Sequence, residues 1–174
     1  MGLTEIKKEL NKFDKGKLIE IIADLYKKNK EVKSLLDFYA NPNEAELFDK
    51  YREKVREAFY PKRGSRFKLK DGKSAISDFK KRNPSATLVA DLMLYYVETG
   101  VEFTDEVGSI DDAFYTSLES TYLAALKLMQ KEHLLDHFAQ RNANLIKDSI
   151  GIGWGFYDYL CSVYADFYGE TGEK

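Results

Sequence analysis

The sequence predicts an all-α protein, built as a compact multi-helix bundle or a short irregular helical array of about seven to nine helices. Apolar residues recur every three or four positions in each long segment, which is the period of a helix surface. No segment shows the sustained alternation or the β-branched enrichment of a strand. The chain of 174 residues is 44% apolar and 32% charged, a composition typical of a folded domain. We therefore predict a single helical domain over residues 1–174, with a basic loop at about residues 61–72 and disordered C-terminal residues 170–174.

The first third of the chain contains short helices separated by capping residues. A helix is predicted over about residues 4–12, and a second one begins after Asp14. A third helix ends at the Asn41-Pro42 break, after which Asn43 caps a helix that runs to Phe59. The second helix has a single apolar stripe, formed by Leu18, Ile21, Ile22, Leu25 and Tyr26.

The middle of the chain contains the segment that we predict to be most buried. A loop over about residues 61–72 precedes a helix over about residues 73–82. From Leu88 to Val97 apolar residues occupy all sides of the next helix, which predicts a central position in the core. Gly100 is predicted to end that helix as a left-handed cap. Further helices are predicted over about residues 111–131, 135–146 and 154–168.

The sequence carries no signal for secretion or for membrane insertion. Cys161 is the only cysteine, so no intramolecular disulfide can form. The first residues lack the apolar core of a signal peptide, and no apolar run approaches the roughly 18 residues of a membrane helix. We therefore expect a cytoplasmic protein that does not interact with a membrane.

Charge is divided unevenly along the chain. Residues 50–82 carry 13 Lys and Arg against 4 Asp and Glu, whereas residues 83–174 carry 5 against 15. The formal net charge of −2 therefore conceals a strongly dipolar molecule. Such asymmetry orients encounters with charged partners but does not identify them.

A basic loop at about residues 61–72 concentrates the positive charge. We predict that its cations are exposed and contact any anionic partner, namely Lys62, Arg63, Arg66, Lys68 and Lys70. Phe67 lies among them and could stack on a nucleic-acid base. Two other interpretations stay open: an acidic protein partner, or a loop that is solvated or docks on the acidic half of its own chain.

The two histidines of the chain, His133 and His137, are four residues apart. On a continuous helix they would share one face and could bind a metal together with a carboxylate. A predicted turn at residues 132–134 moves His133 off the helix, however, and no third ligand is evident. The favoured interpretation is a pair of surface or capping histidines, and we predict no metal and no cofactor.

Three glycines alternate around the only tryptophan just before the last helix, in the order Gly151, Gly153, Trp154 and Gly155. Glycines at a helix start can cradle a phosphate, but this spacing matches neither a Walker loop nor a dinucleotide fingerprint. We favour a structural corner in which Trp154 is largely buried. We also expect Gly153 or Gly155 to adopt a backbone conformation that is closed to other residues.

An acidic connection over residues 101–110 follows the predicted central helix. Its spacing of carboxylates does not match the calcium-binding loop of an EF-hand. Acids at helix starts also complement the helix dipole, which favours a solvated acidic loop. The carboxylates of this region are Glu98, Glu102, Asp105, Glu106, Asp111 and Asp112.

Four segments together resemble a known family: LDFYANPN at 36–43, AISDFK at 75–80, DLMLYYVE at 91–98 and SIGIGWGF at 149–156. With the Leu- and Lys-rich N-terminal helices, they resemble a bacterial family described only as a domain of unknown function. The resemblance covers nearly the full chain. It implies a small, mostly helical cytoplasmic protein and assigns no catalytic or binding residue.

The sequence selects no catalytic residue, because no Ser lies in an elbow motif and no Cys-His partnership is recognisable. We predict a non-enzymatic protein-interaction or adaptor module with a protein partner. One alternative is a nucleic-acid-associated protein that uses the basic loop at 62–73. Another is a metal-binding or enzymatic protein centred on His133 and His137.

Overall fold

A computed structural model describes residues 2–40, 43–62 and 66–169, with the side chains of residues 34, 38 and 39 left aside. These residues form nine helices and no strand, which confirms the predicted all-α class. The chain divides into two compact units, Met1–Asn43 and Glu44–Lys174. The single domain over residues 1–174 stays a prediction, and the C-terminal residues 170–174 lie outside the described part.

The N-terminal unit contains three short helices: α1 (Leu3–Leu10), α2 (Lys15–Lys28) and α3 (Lys30–Ala40). Asp14 caps α2 by accepting a hydrogen bond of 2.8 Å from the Lys17 backbone N–H. Asn29 separates α2 from α3, and its side chain accepts hydrogen bonds from the backbone N–H groups of Glu31 and Val32. Side chains of α2 pack against α3, yet α1 and α2 have no buried residue.

The C-terminal unit contains six helices around one core. They are α4 (Glu44–Phe59), α5 (Leu69–Lys80), α6 (Ala86–Val107), α7 (Asp112–Lys131), α8 (Leu135–Asp148) and α9 (Phe156–Tyr168). Helix α6 packs against α4, α5 and α7, and α9 packs against α7 and α8. Leu92, Leu94 and Val97 of α6 are completely buried, so the prediction of a central helix is confirmed.

Gly100 does not end the central helix, contrary to the prediction. Helix α6 continues through it to Val107, so the predicted acidic connection at 101–110 is mostly helical. A Cβ atom added at Gly100 would lie 2.5 Å from Cδ2 of Leu118 in α7. The glycine is therefore required by the close approach of two helices and not by a turn.

The predicted basic loop is shorter than expected, because α5 begins at Leu69 and not near residue 73. Gly72 is buried inside this helix, so it has no role as a loop residue. The backbone N–H of Lys68 donates a hydrogen bond of 2.7 Å to the carbonyl of Ala58 at the end of α4. This bond fixes the start of α5 against α4.

Candidate functional site

Three cations beside α5 form what we call the basic ridge: Arg66, Lys68 and Lys70. All three are exposed, whereas Phe67 and Leu69 between them are half-buried and pack against the core. Arg66 and Lys68 precede α5, whereas Lys70 lies in its first turn, next to Leu69. The predicted exposure of these three cations is confirmed.

Phe67 is not available to stack on a nucleic-acid base, contrary to what its position in the sequence allowed. Its ring packs edge-on against Phe103 of α6 and Phe114 of α7, with centroid distances of 5.3 and 5.6 Å. It therefore anchors the basic ridge to the core. Any anionic partner of the ridge contacts cations and not an aromatic platform.

Lys62, the first cation of the predicted patch, is exposed but already paired. Its ammonium group contacts the carboxylates of Glu57 and Glu53 on α4, the latter at 3.3 Å. Hydrogen bonds that Lys62 donates to the carboxylates of Glu57 and Glu53 raise the pKa of Lys62. Arg63 lies outside the described residues. In the described part of the chain no carboxylate forms an ion pair with Arg66, Lys68 or Lys70.

The arginines of α4 are also engaged within the fold. Arg56 donates two hydrogen bonds, of 3.0 and 3.1 Å, to the carboxylate of Glu102 on α6. The Arg52 guanidinium lies over the ring of Tyr95, 4.4 Å from its centroid. The positive charge of residues 50–82 is thus partly neutralised by Glu102 of α6, and the basic ridge is one part of it that forms no ion pair among the described residues.

The two histidines lie in different local structures. His133 lies in the predicted turn with a φ angle of 58°, whereas His137 lies in the first turn of α8. The His137 ring packs edge-on against Phe138 at a centroid distance of 4.7 Å. Among the described residues, no three His, Cys, Asp or Glu side chains are grouped so that they could hold a metal ion.

Trp154 is exposed, so the prediction of a buried tryptophan is wrong. Its side chain is 56% exposed, and the indole N–H donates a hydrogen bond of 2.7 Å to the Ser109 hydroxyl. Phe156 fills the core at this corner instead, completely buried and packed against Tyr115 at 5.3 Å. The aromatic residue that the corner requires is therefore the first residue of α9, two positions further on.

The glycine corner has the backbone conformation that we predicted. Gly155 has a φ angle of 73°, in the left-handed region that favours glycine, and no atom would obstruct a side chain there. Trp154 itself has a φ angle of 61°, which is unusual for a bulky residue. The corner is thus fixed by backbone conformation and not by close packing of helices.

We expect the Trp154→Gly variant to change the free energy of unfolding by less than about 1 kcal/mol. Relief of left-handed strain, about 1–2 kcal/mol, offsets the flexibility that glycine adds and the partial burial that is lost. Urea denaturation measures the change. As a control, Phe156→Ala should lose about 3–5 kcal/mol, because that ring is fully buried. A loss of similar size for Trp154→Gly would show that the indole is part of the core.

An ion cluster between α6 and α8 was missed by the sequence reasoning. Arg141 of α8 donates hydrogen bonds of 2.6 and 2.8 Å to Glu98 and one of 2.7 Å to Asp91. Burial lowers the pKa of Arg141, but its bonds to Glu98 and Asp91 more than compensate and raise the pKa overall. The signal in the sequence was the pair Asp91 and Glu98, two helical turns apart on an otherwise apolar helix.

Two grooves of the C-terminal unit are lined by charged and polar side chains. An open groove of about 490 Å³ between α4 and α5 is lined by charges of both signs, including Lys54, Glu57 and Asp71. A smaller one of about 300 Å³ lies beside α7 and includes Glu119 and Tyr159. Desolvation and repulsion by Asp112 raise the pKa of Glu119. In the second groove the Ser120 hydroxyl accepts a hydrogen bond of 3.0 Å from the Lys73 ammonium group and donates one of 3.0 Å to the Ser117 carbonyl, so its proton faces a backbone carbonyl and not a side-chain base.

The described residues form an all-α protein, and the cations of the basic ridge and the ring of Trp154 lie at its surface. None of the described helices combines the length and the apolar composition that a bilayer-spanning segment needs. The chain belongs to the family of unknown function DUF6155, which its sequence matches over residues 1–167. This match confirms the predicted resemblance to a family of unknown function, whereas the bacterial origin stays a prediction. No curated protein and no solved structure matches the chain.

Proposed function

We propose that the chain is a non-enzymatic protein-interaction module and that its N-terminal unit provides the binding surface. The observation that carries this proposal is the exposure of apolar side chains on α1 and α2, neither of which has a buried residue. Short helices in isolation are marginally stable in water, so a partner that covers their apolar faces would stabilise them.

Exposed apolar side chains are concentrated in this unit. In the described part of the chain nine large hydrophobic side chains are exposed, and six of them belong to the N-terminal unit. Isolated exposed apolar residues are common, but a concentration of them is typical of an interaction surface. The six residues are Leu3, Ile6, Phe13, Ile19, Ile22 and Leu25.

Helix α2 has an apolar arc that is broader than α3 covers. Its apolar side chains span about 160° of the helix circumference, since each residue advances by about 100°. Packing near α3 leaves part of the arc half-buried, and Tyr26 donates a hydrogen bond of 2.7 Å to Asp37 of α3. Ile19, Ile22 and Leu25 stay exposed. This arrangement suits insertion of α2 into an apolar groove of a partner protein.

We expect the triple variant Ile19→Gln, Ile22→Gln, Leu25→Gln to lose its partner without losing its fold. Glutamine favours helix at least as well as isoleucine, and the three positions are exposed, so the thermal midpoint should hardly change. Three interface side chains worth about 1 kcal/mol each correspond to a roughly hundredfold weaker affinity. The measurement is affinity capture from extracts of the source cells, followed by titration of the captured protein after its purification.

The matched control is Lys17→Gln, Glu20→Gln, Lys27→Gln, which changes three polar positions of the same helix. It should bind the purified partner with wild-type affinity. If the control and the apolar variant bind equally well, α2 is not the binding surface. If neither the wild type nor the control retains a partner that can be reconstituted, the interaction-module proposal is contradicted.

A second candidate function is association with nucleic acid, and the basic ridge favours it. The three cations of the ridge are exposed, whereas Phe67 and Leu69 between them pack against the core. None of these cations has a carboxylate partner among the described residues. Cations held in this way can contact successive phosphates and release counterions. Lys62 contributes less to phosphate binding, because its ammonium group already forms ion pairs with Glu53 and Glu57.

We expect any DNA or RNA affinity of the chain to depend on the basic ridge. In Arg66→Gln, Lys68→Gln, Lys70→Gln, the slope of log affinity against log salt should be shallower by about 2.7, since each phosphate contact contributes about 0.9. Fluorescence anisotropy with a short labelled duplex at several salt concentrations measures the slope. Lys127→Gln, Lys131→Gln, Lys147→Gln is the control. Equal slopes for the two variants would exclude the ridge as the binding site.

A further inference from the structure

We propose that a second surface, at one end of the C-terminal unit, recognises a lysine- or arginine-bearing segment of another protein. We call this surface the Trp154 corner and define it by Val107, Ile150 and Trp154. It differs from the surface of the proposed function in its position, since it belongs to Glu44–Lys174. It also differs in chemistry, because it combines apolar groups with carboxylates.

Two turns of the chain meet at the Trp154 corner. One joins α6 to α7 and the other joins α8 to α9. The indole N–H of Trp154 donates to the Ser109 hydroxyl at 2.7 Å, and the rings of Tyr115 and Phe156 pack at 5.3 Å. The first turns of α7 and α9 therefore lie side by side, with Trp154 next to the end of α6.

The apolar side chains of the Trp154 corner are exposed and do not form part of the hydrophobic core. Val107, Ile150 and Trp154 are 57%, 66% and 56% exposed, and they are the large hydrophobic side chains exposed in the described part of this unit. Phe156 already fills the core beneath them. A bulky side chain with a positive φ angle is costly, so the fold holds the Trp154 ring at the surface at the expense of local strain.

The charge around the corner determines the kind of partner. Segments 105–112 and 148–158 contain six Asp and Glu and no Lys or Arg. Asp111, Asp112 and Asp158 are exposed in the first turns of α7 and α9 or just before them, and none forms an ion pair within the described residues. Because acids already occupy these helix starts, phosphates and anionic lipids would be repelled.

A cationic side chain finds two favourable interactions at this corner. The face of an indole ring attracts Lys and Arg more strongly than other aromatic rings do. The carboxylates beside it add a longer-range attraction that steers the approach of a positively charged segment. Val107 and Ile150 can cover the aliphatic stem of the bound Lys or Arg.

Trp154 is the only tryptophan of the chain, so its emission reports directly on occupancy of the corner. We would titrate the full chain with an oligo-arginine, an oligo-lysine and an oligo-glutamate peptide of equal length. Both cationic peptides should quench or shift the emission, and oligo-glutamate should not. Calorimetric titration of the same peptides gives affinities that can be compared with variants lacking Trp154.

Two variants separate the aromatic contribution from the electrostatic one. Trp154→Leu keeps an apolar side chain but removes the indole, and should weaken oligo-arginine binding about fivefold. Asp112→Asn, Asp158→Asn should weaken binding by a similar factor and make it less sensitive to salt. The control Asp136→Asn, Asp166→Asn removes two exposed carboxylates near the opposite end of α9, where Tyr168 donates to the Leu135 carbonyl, and should bind like the wild type.

The following outcomes would overturn the proposal. They are the absence of binding to both cationic peptides, binding without a change in Trp154 emission, and equal losses in the control variant. Dimerisation that Trp154→Leu abolishes, seen by sedimentation, would assign the corner to a second copy of the chain. The Ile19→Gln, Ile22→Gln, Leu25→Gln variant should bind oligo-arginine normally, so that failure here and failure of the N-terminal surface are distinguishable.

Discussion

The Arg141→Met variant is expected to lose about 2–3 kcal/mol of unfolding free energy. Arg141 lies between Asp91 and Glu98 of α6, and the three side chains are only about 30% exposed (31%, 31% and 29%). Removing the cation leaves two neighbouring carboxylates partly buried without a partner. This costs several kcal/mol when burial is complete and less here, because solvent screens the exposed part. Chemical denaturation followed by circular dichroism measures the loss.

A double variant tests whether the unpaired carboxylates cause the loss of stability in Arg141→Met. Arg141→Met combined with Glu98→Gln should be more stable than Arg141→Met alone, because one of the two unpaired charges is gone. Arg56→Met is the comparison on the surface, where the Arg56–Glu102 pair is 45% and 46% exposed and should cost about 1 kcal/mol or less. If all three variants lose the same amount, packing of the arginine stem and not charge pairing holds α8 against α6.

The Leu92→Ala variant is expected to lose about 2–5 kcal/mol of unfolding free energy. Leu92 is completely buried in the N-terminal half of α6, the helix that packs against α4, α5 and α7. Truncation to alanine removes buried apolar surface and leaves a cavity, because a close-packed core relaxes only in part. The shift of the urea midpoint at constant slope gives the loss.

Ile150→Ala is the matched control for Leu92→Ala within the same unit. Ile150 is a large aliphatic residue on the surface, so its truncation should change the unfolding free energy by less than about 0.5 kcal/mol. A loss for Leu92→Ala as small as that of the control would contradict the central position of α6.

The helices could be predicted from the sequence because helical periodicity and capping are local. Asp14 and Asp111 cap their helices through side-chain bonds to backbone N–H groups three residues on, a relation that the sequence displays directly. The extent of α6 could not be predicted in the same way. Gly100 has the same appearance in the sequence whether it ends a helix or makes room for Leu118 of another one.

The candidate sites were predictable in part. The exposure of Lys68 and Lys70 follows from the cost of burying unpaired cations. The burial of Phe67 and the exposure of Trp154 did not follow, because the place of an aromatic ring depends on contacts with distant helices, such as that of Phe67 with Phe103. At the start of α9 Phe156 occupies the interior, and Trp154 is left outside.

The sequence by itself determined the all-α class, most helix boundaries and the uneven distribution of charge. These properties depend on residues within about one or two helical turns of one another. Only the tertiary structure decided which apolar faces are covered and which charges are paired. Arg141 meets Asp91 across 50 positions and Arg56 meets Glu102 across 46, and such distant pairs are fixed by the packing of whole helices. Within the C-terminal unit the same packing leaves the basic ridge and the Trp154 corner exposed, because the core is complete without them.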